Sequence, residues 1–214
     1  MNAQKAPLVV VMGVSGCGKS TLGALLAHAL HADFLEGDKL HPPRNVELMA
    51  AGVALTDADR RDWLMALAAQ LKAAADANRA LVVSCSALKR SYRDVLRGTS
   101  NESGDSSDLT GSSELAFVHL HGDAALLDAR MNARVGHYMP ASLLASQLAT
   151  LEAPGADERA VTLDAALPTA QAVAQALAWL AAMPASMSKS ASTSASTLTS
   201  TSTSTSNSTA RPAP

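Results

Sequence analysis

Apolar positions along the chain fall into two periodicities. Short unbroken runs, at Leu8 to Met12, Ala32 to Leu35, Ala80 to Ser84, Leu115 to Leu120 and Val161 to Leu163, read as strands buried on both faces. Between them the spacing changes to three and four. Leu22, Leu25, Leu26 and Leu30 mark a helix over Lys19 to Leu30. Pro42 starts a second, Val46 and Met49 continue its apolar face, and Gly52 ends it. Trp63, Leu64, Leu67 and Leu71 share one face of a long helix over Asp57 to Asp76, with Asp57 as its expected cap. Further helices are predicted over Ser91 to Leu96, Asp123 to Arg134, Ala141 to Leu151 and Thr169 to Ala182. Strands alternating with helices predict an α/β fold of three layers, a central five-stranded parallel sheet with helices on both faces. Such a sheet binds ligands beyond the carboxyl ends of its strands. The chemistry is therefore expected just after Met12, Leu35, Ser84 and Leu120.

Two stretches fall outside this pattern. Gly98 to Ser113 is rich in Ser, Gly and Asp, and predicts a flexible loop inserted before the fourth strand. Pro184 to Pro214 is mostly Ser, Thr and Ala, with Lys189 and Arg211 as its only charges. It has too little apolar area to offset chain entropy, so it predicts a disordered tail after one domain over residues 1–183.

Composition narrows the function classes. Hydrophobic residues make up 48% of the 214, enough for a core, but aromatics only 3%, so Ala, Leu, Val and Met must build it. The formal net charge of −2 gives no general attraction to nucleic acid or anionic lipid. The six aromatic side chains, Phe34, Trp63, Tyr92, Phe117, Tyr138 and Trp179, are scattered rather than set along a basic stripe. Trp63, Tyr92 and Trp179 are expected to pack in the core or between helices. The N-terminus has no signal-peptide layout, and no apolar run is long enough to span a bilayer. Cys17 and Cys85 are read as reduced thiols, Cys17 as a small filler, in a cytoplasmic protein.

The strongest chemical signal follows the first strand. Gly13-Val14-Ser15-Gly16-Cys17-Gly18-Lys19-Ser20 fits G-x-x-x-x-G-K-[ST], with a strand before it and a helix, starting through Thr21, after it. Glycines let the backbone wrap closely, so that successive N–H groups meet phosphate oxygens. The positive end of the following helix faces the same anion. Lys19 can reach the β- and γ-phosphates of ATP, and Ser20 can offer its hydroxyl to Mg2+.

The loop alone does not name a reaction, but the residues after it narrow the choice. Gly37-Asp38-Lys39-Leu40-His41-Pro42 is followed by Asn45, Met49 and Gly52, then by Leu55 to Leu64. Cys85-Ser86-Ala87-Leu88-Lys89-Arg90 comes next, then Arg130 to Arg134, Gly136 to Met139, and Leu151-Glu152-Ala153-Pro154 before Asp157-Glu158. In order and spacing this series resembles the gluconokinase family, from about Leu8 to about Trp179 without the Ser-rich insertion. The family usually has Lys where this chain has Leu48, Pro where it has Asp62 and Phe where it has Tyr138.

The resemblance implies ATP-dependent phosphorylation of D-gluconate on its 6-hydroxyl, a homodimer, and a mobile lid over residues 135–141. It implies that Asp38 holds acceptor hydroxyls and accepts a proton, although an aspartate there also suits a turn or a cap. His41 is either a substrate contact or a structural histidine. Arg44 and Arg60 are candidates for the gluconate carboxylate, which guanidinium groups bind through two parallel bonds, or else solvated helix charges. Lys89 is a further candidate substrate contact. Arg130 and Arg134 lie on one helix face and would close over the phosphates with the lid, unless they form surface pairs with Asp128 or a similar acid. The rival readings are a kinase for another small hydroxy acid, such as shikimate, and a non-catalytic nucleotide-binding module.

Overall fold

The computed structural model describes residues 5–99, 115–133 and 142–183. Most of the expected insertion, Arg134 with the 135–141 lid, and the 184–214 tail lie outside the described residues. Five strands form one parallel sheet: β1 (Leu8–Met12), β2 (Asp33–Glu36), β3 (Leu81–Ser84), β4 (Ala116–His121) and β5 (Ala160–Asp164), in the order β2-β3-β1-β4-β5. The helices are α1 (Lys19–Leu30), α2 (Pro43–Ala50), α3 (Asp57–Asp76), α4 (Arg90–Arg97), α5 (Ala124–Asn132), α6 (Ser142–Thr150) and α7 (Thr169–Ala182). A short 3-10 turn over Gly37–Leu40, which the apolar pattern does not predict, joins β2 to α2.

The strand order places the helices. Parallel crossovers are right-handed. The step from β1 out to β2 therefore puts α1 on one face. The steps from β2 to β3 and from β3 to β4 run the other way across the sheet and put α3 and α4 on the opposite face. The packing agrees: α1 lies against α7, and α3 against α4. β1 is central, pairing Val10 with Val83 of β3 and with Phe117 of β4, and all five of its residues are buried. The core is aliphatic, as the composition requires, with Leu22, Leu26, Leu67, Leu71, Leu96 and Leu127 fully or nearly buried around the sheet.

Two local features fix the approach to the ligand edge. Gly37 sits so close to β3 that a Cβ there would run into the Ser84 carbonyl oxygen. Its backbone N–H also donates to the Ser84 hydroxyl, at 3.4 Å. Buried Arg93 of α4 forms a bidentate pair with buried Glu158, both bonds at 2.7 Å, and Arg97 donates to the same carboxylate at 2.7 Å. Arg93 also donates to the carbonyls of Ala87 (3.2 Å) and Glu152 (2.9 Å). It thereby ties the loop after β3 to the segment after α6. Burial alone would raise the Glu158 pKa, but the hydrogen bonds from Arg93 and Arg97 outweigh it and hold the carboxyl at about 2.

The cap of α3 differs from the expected one. Thr56, not Asp57, caps the helix. Its hydroxyl accepts from the Asp59 N–H while the Asp59 carboxylate accepts from the Thr56 N–H, a capping box. That leaves the Asp57 side chain free for contacts outside its own helix.

Candidate active site

The loop from Gly13 to Ser20 leaves the end of β1 and turns into α1. Gly18 caps that helix in the left-handed region, at φ 98°, and a Cβ built on it would meet nothing within 4 Å. The space over the start of α1 is therefore open, while the backbone needs a glycine. Lys19 Nζ lies back along the loop and donates to the Val14 carbonyl at 3.0 Å. The Gly13 N–H donates to the Ser86 carbonyl at 3.3 Å, fastening the loop to the end of β3. Ser20 and Thr21 are exposed in the first turn of α1.

Two cavities flank this loop. The larger, of about 320 Å³, is lined by Gly16, Cys17, Gly18 and Thr21 on the loop side, by Asp164 and Thr169 on the β5–α7 side, and by Arg130 of α5. The smaller, of about 20 Å³, is lined by Ser15, Lys19, Asp38, His41, Arg60 and Gln147, with an apolar cover of Met49, Leu55 and Leu143. Met49, Leu55 and Leu143 form a separate buried cluster that joins α2 to α6. Leu48, one of the departures from the family pattern, packs against that cluster. The smaller cavity has room for about one water.

The smaller cavity brings together residues from four parts of the chain. Lys19 and Asp38, 19 positions apart in sequence, line it jointly. His41 is buried and stacks on Trp63, with centroids 4.1 Å apart and planes at 13°. Trp63 is held in turn by its Nε1–H donating to the Gly37 carbonyl at 2.8 Å. Asn45 Nδ2 donates to the Asp59 carbonyl at 2.7 Å and, in a longer contact of 3.5 Å, meets His41 Nδ1. Since the amide nitrogen is the donor, Nδ1 accepts, and the His41 proton belongs on Nε2. Burial, with the nearby Arg60 charge, lowers the His41 pKa to about 4, so the ring is neutral at neutral pH.

Arg60 is 9% exposed and lies 5.9 Å from the Tyr92 ring centroid. Its buried Nε has no hydrogen-bond partner among the described residues. An unmatched buried guanidinium N–H on a cavity wall is a ready donor to an anion. Arg44 is exposed on α2 and does not line the cavity. Lys89 does not line it either. Its ammonium donates to both Asp57 carboxylate oxygens at 2.8 Å, and the Tyr92 hydroxyl donates to the same group. These bonds, from Lys89 first and then Tyr92, lower the Asp57 pKa. Arg130 lines the larger cavity, and the Asp128 carboxylate accepts from Asn132 at 3.0 Å. Arg134 lies outside the described residues. Of the two cysteines, both free and buried, burial pushes the Cys85 thiol up to about 12, which makes it a poor nucleophile.

Sequence reading passed over two site residues. Asn45 lies in the first turn of α2 while His41 precedes that helix in extended backbone, so no helical spacing links the two in the sequence. Gln147 follows Leu143 and Leu144 at four and three positions, a polar residue on the apolar stripe of α6.

Residues 8–154 match the family described as AAA domain. A gluconokinase of Gluconobacter oxydans is 50% identical over 154 residues, covering 72% of this chain and 80% of that protein. The thermoresistant gluconokinase of Escherichia coli is 44% identical over 151 residues, covering 71% and 79%. Among solved structures, a gluconokinase from Sinorhizobium meliloti superposes with a TM-score of 0.69 at 47% identity, covering 84% of this chain and 94% of that one.

Proposed function

Because the chain belongs to the gluconokinase family, we propose that it transfers the γ-phosphoryl group of ATP to D-gluconate, giving 6-phosphogluconate and ADP. The observation that carries this reading is the smaller cavity. There a phosphate-loop lysine, a carboxylate and a buried guanidinium with an unmatched donor face one small space. The larger cavity on the other side of the loop has the size and place for the nucleoside.

The chemistry follows from these positions. Lys19 and the loop N–H groups take up the phosphate charge, and Arg130 adds positive charge at the nucleotide side. Asp38 orients the 6-hydroxyl and takes its proton as that oxygen bonds to the γ-phosphorus. The bond to the β-phosphate oxygen breaks, and ADP carries away the electron pair. Arg60 binds the substrate carboxylate at the far end of the acceptor. His41, with its proton on Nε2, donates to an acceptor hydroxyl and does not compete with Asp38 as a base. Lys89 acts on the acceptor only if it leaves Asp57, and Arg44 only if α2 moves. Mg2+ neutralises phosphate charge when bound, and the exposed Ser20 hydroxyl beside the open space at Gly18 suits it. Arg134 and the 135–141 lid complete the phosphate side of this proposal.

A cytoplasmic location and a homodimer belong to the same proposal. The location is supported by two free thiols, and the dimer by the family resemblance. Among the described residues no helix is long and apolar enough to cross a membrane. A coupled ADP-release assay over gluconate, shikimate, glucose and nucleoside monophosphates tests the reaction. Gluconate is expected to turn over fastest. Brisk turnover of another acceptor with none of gluconate would overturn the reading.

A further inference from the structure

Gln147 is buried on α6, and its side-chain carbonyl accepts the backbone N–H of Ser15 at 2.7 Å. The bond joins residues 132 positions apart and fixes which end of the carboxamide meets the loop, because only the oxygen can accept. Ser15 is the third residue of the phosphate loop. The two cavities show what lies there. Gly16, Cys17, Gly18 and Thr21 line the larger cavity, whereas Ser15 and Lys19 line the smaller one with Asp38. On the kinase reading above, a nucleotide seated in the larger cavity would meet Ser15 with its terminal phosphoryl group. The same short stretch of space holds the Gln147 carboxamide.

We propose that Gln147 is a positioning residue for the γ-phosphoryl group, holding the Ser15 peptide so that the acceptor end of the phosphate loop has its transfer geometry. The inference rests on the kinase reading above. Gln147 suits the task because it is neutral. It supplies an oxygen to the Ser15 N–H without placing a negative charge beside the incoming phosphoryl group. It also hands the position of α6, and of the Leu143 contact that covers the acceptor cavity, directly to the loop. A 1 Å error at the reacting phosphorus costs about a hundredfold in rate, so a single fixed peptide plane has leverage.

Two near-isosteric variants of the full chain test this. Gln147→Glu keeps an acceptor for Ser15 but adds charge. Gln147→Met keeps length but removes the acceptor. Calorimetric titration of Gln147→Glu is expected to show a non-hydrolysable ATP analogue weakened at least about tenfold while ADP stays within about twofold, since ADP lacks the group that meets residue 147. Gln147→Met is expected to melt close to wild type and to bind ADP within about twofold. Its kcat on gluconate should fall at least about tenfold, with KM for gluconate within about threefold. Equal effects of Gln147→Glu on ADP and the ATP analogue, or no effect on either, would overturn the proposal. So would wild-type kcat in a folded Gln147→Met. If Gln147→Met fails to fold, the Gln147→Glu titration still decides. If wild type does not act on gluconate, the gluconate reading fails, while the titration decides on Gln147 alone.

Discussion

A single side chain in this site acquires its job from what holds it. His41 illustrates this: Trp63 stacks beneath it and Asn45 occupies its Nδ1 edge, which leaves a neutral ring with a donor and no free basic nitrogen. Asp38 is only half-buried and lines one cavity with Lys19, and in the proposed reaction the first serves the acceptor and the second the phosphates. Asp38→Asn keeps the shape and removes the base. Its kcat on gluconate is expected to fall by on the order of a hundredfold or more, with ADP affinity unchanged. In the same proposal Arg60 binds the carboxylate at the other end of the acceptor. Arg60→Met keeps the stem and removes the charge, and KM for gluconate should rise by roughly ten- to a hundredfold, the worth of a charged hydrogen bond. Steady-state kinetics with calorimetric ADP binding separate the two. A weakened ADP site in either variant would show that the two sides of the site are wrongly placed.

Elements here are joined by a few polar fasteners of unequal strength. The capping box at Thr56 starts α3 at the surface and releases Asp57 to Lys89 and Tyr92. The Arg93–Glu158 pair is buried, with both side chains nearly inaccessible at 1% and 2%, and it fixes the loop that carries Ser86 and Lys89. The difference predicts different costs. Thr56→Ala should lose about 1 kcal/mol, the usual worth of an N-cap. Arg93→Met should lose about 3–5 kcal/mol, because it strands a buried carboxylate. Urea unfolding of both variants measures this. Equal losses would mean that the loop after β3 does not depend on the Arg93 network.

At the scale of the whole molecule, the fold holds two histidines neutral in its interior. His41 and His119 both have pKa values lowered to about 4, chiefly by burial, with Arg60 acting on the first and His121 and Arg93 on the second. His119 Nδ1 lies 3.2 Å from the Thr162 hydroxyl, and its buried Nε2 has no partner among the described residues. An unfolded histidine takes up a proton near pH 6.5, so both groups favour the folded state fully above that pH. Their contribution is lost as pH falls from about 6.5 toward 4, and the low Glu158 pKa adds to the loss below about 4.5. The melting temperature should hold between pH 7 and 8 and drop by on the order of 5–10 °C between pH 6.5 and 4. His119→Gln should remove about half of the drop above pH 4.5, and a flat wild-type profile would contradict the account. The sequence by itself determined the parallel α/β sheet, because apolar runs and helical stripes are local patterns that one chain displays openly. It also determined the phosphate loop and the family, because fixed spacings along the backbone carry them. Only the tertiary structure decided that Arg60 faces the cavity while Lys89 turns to Asp57, since both are basic residues next to strand or helix ends and no spacing distinguishes them. It alone brought Gln147 to Ser15 across 132 residues, because chain folding, not sequence distance, sets which polar group meets a buried N–H.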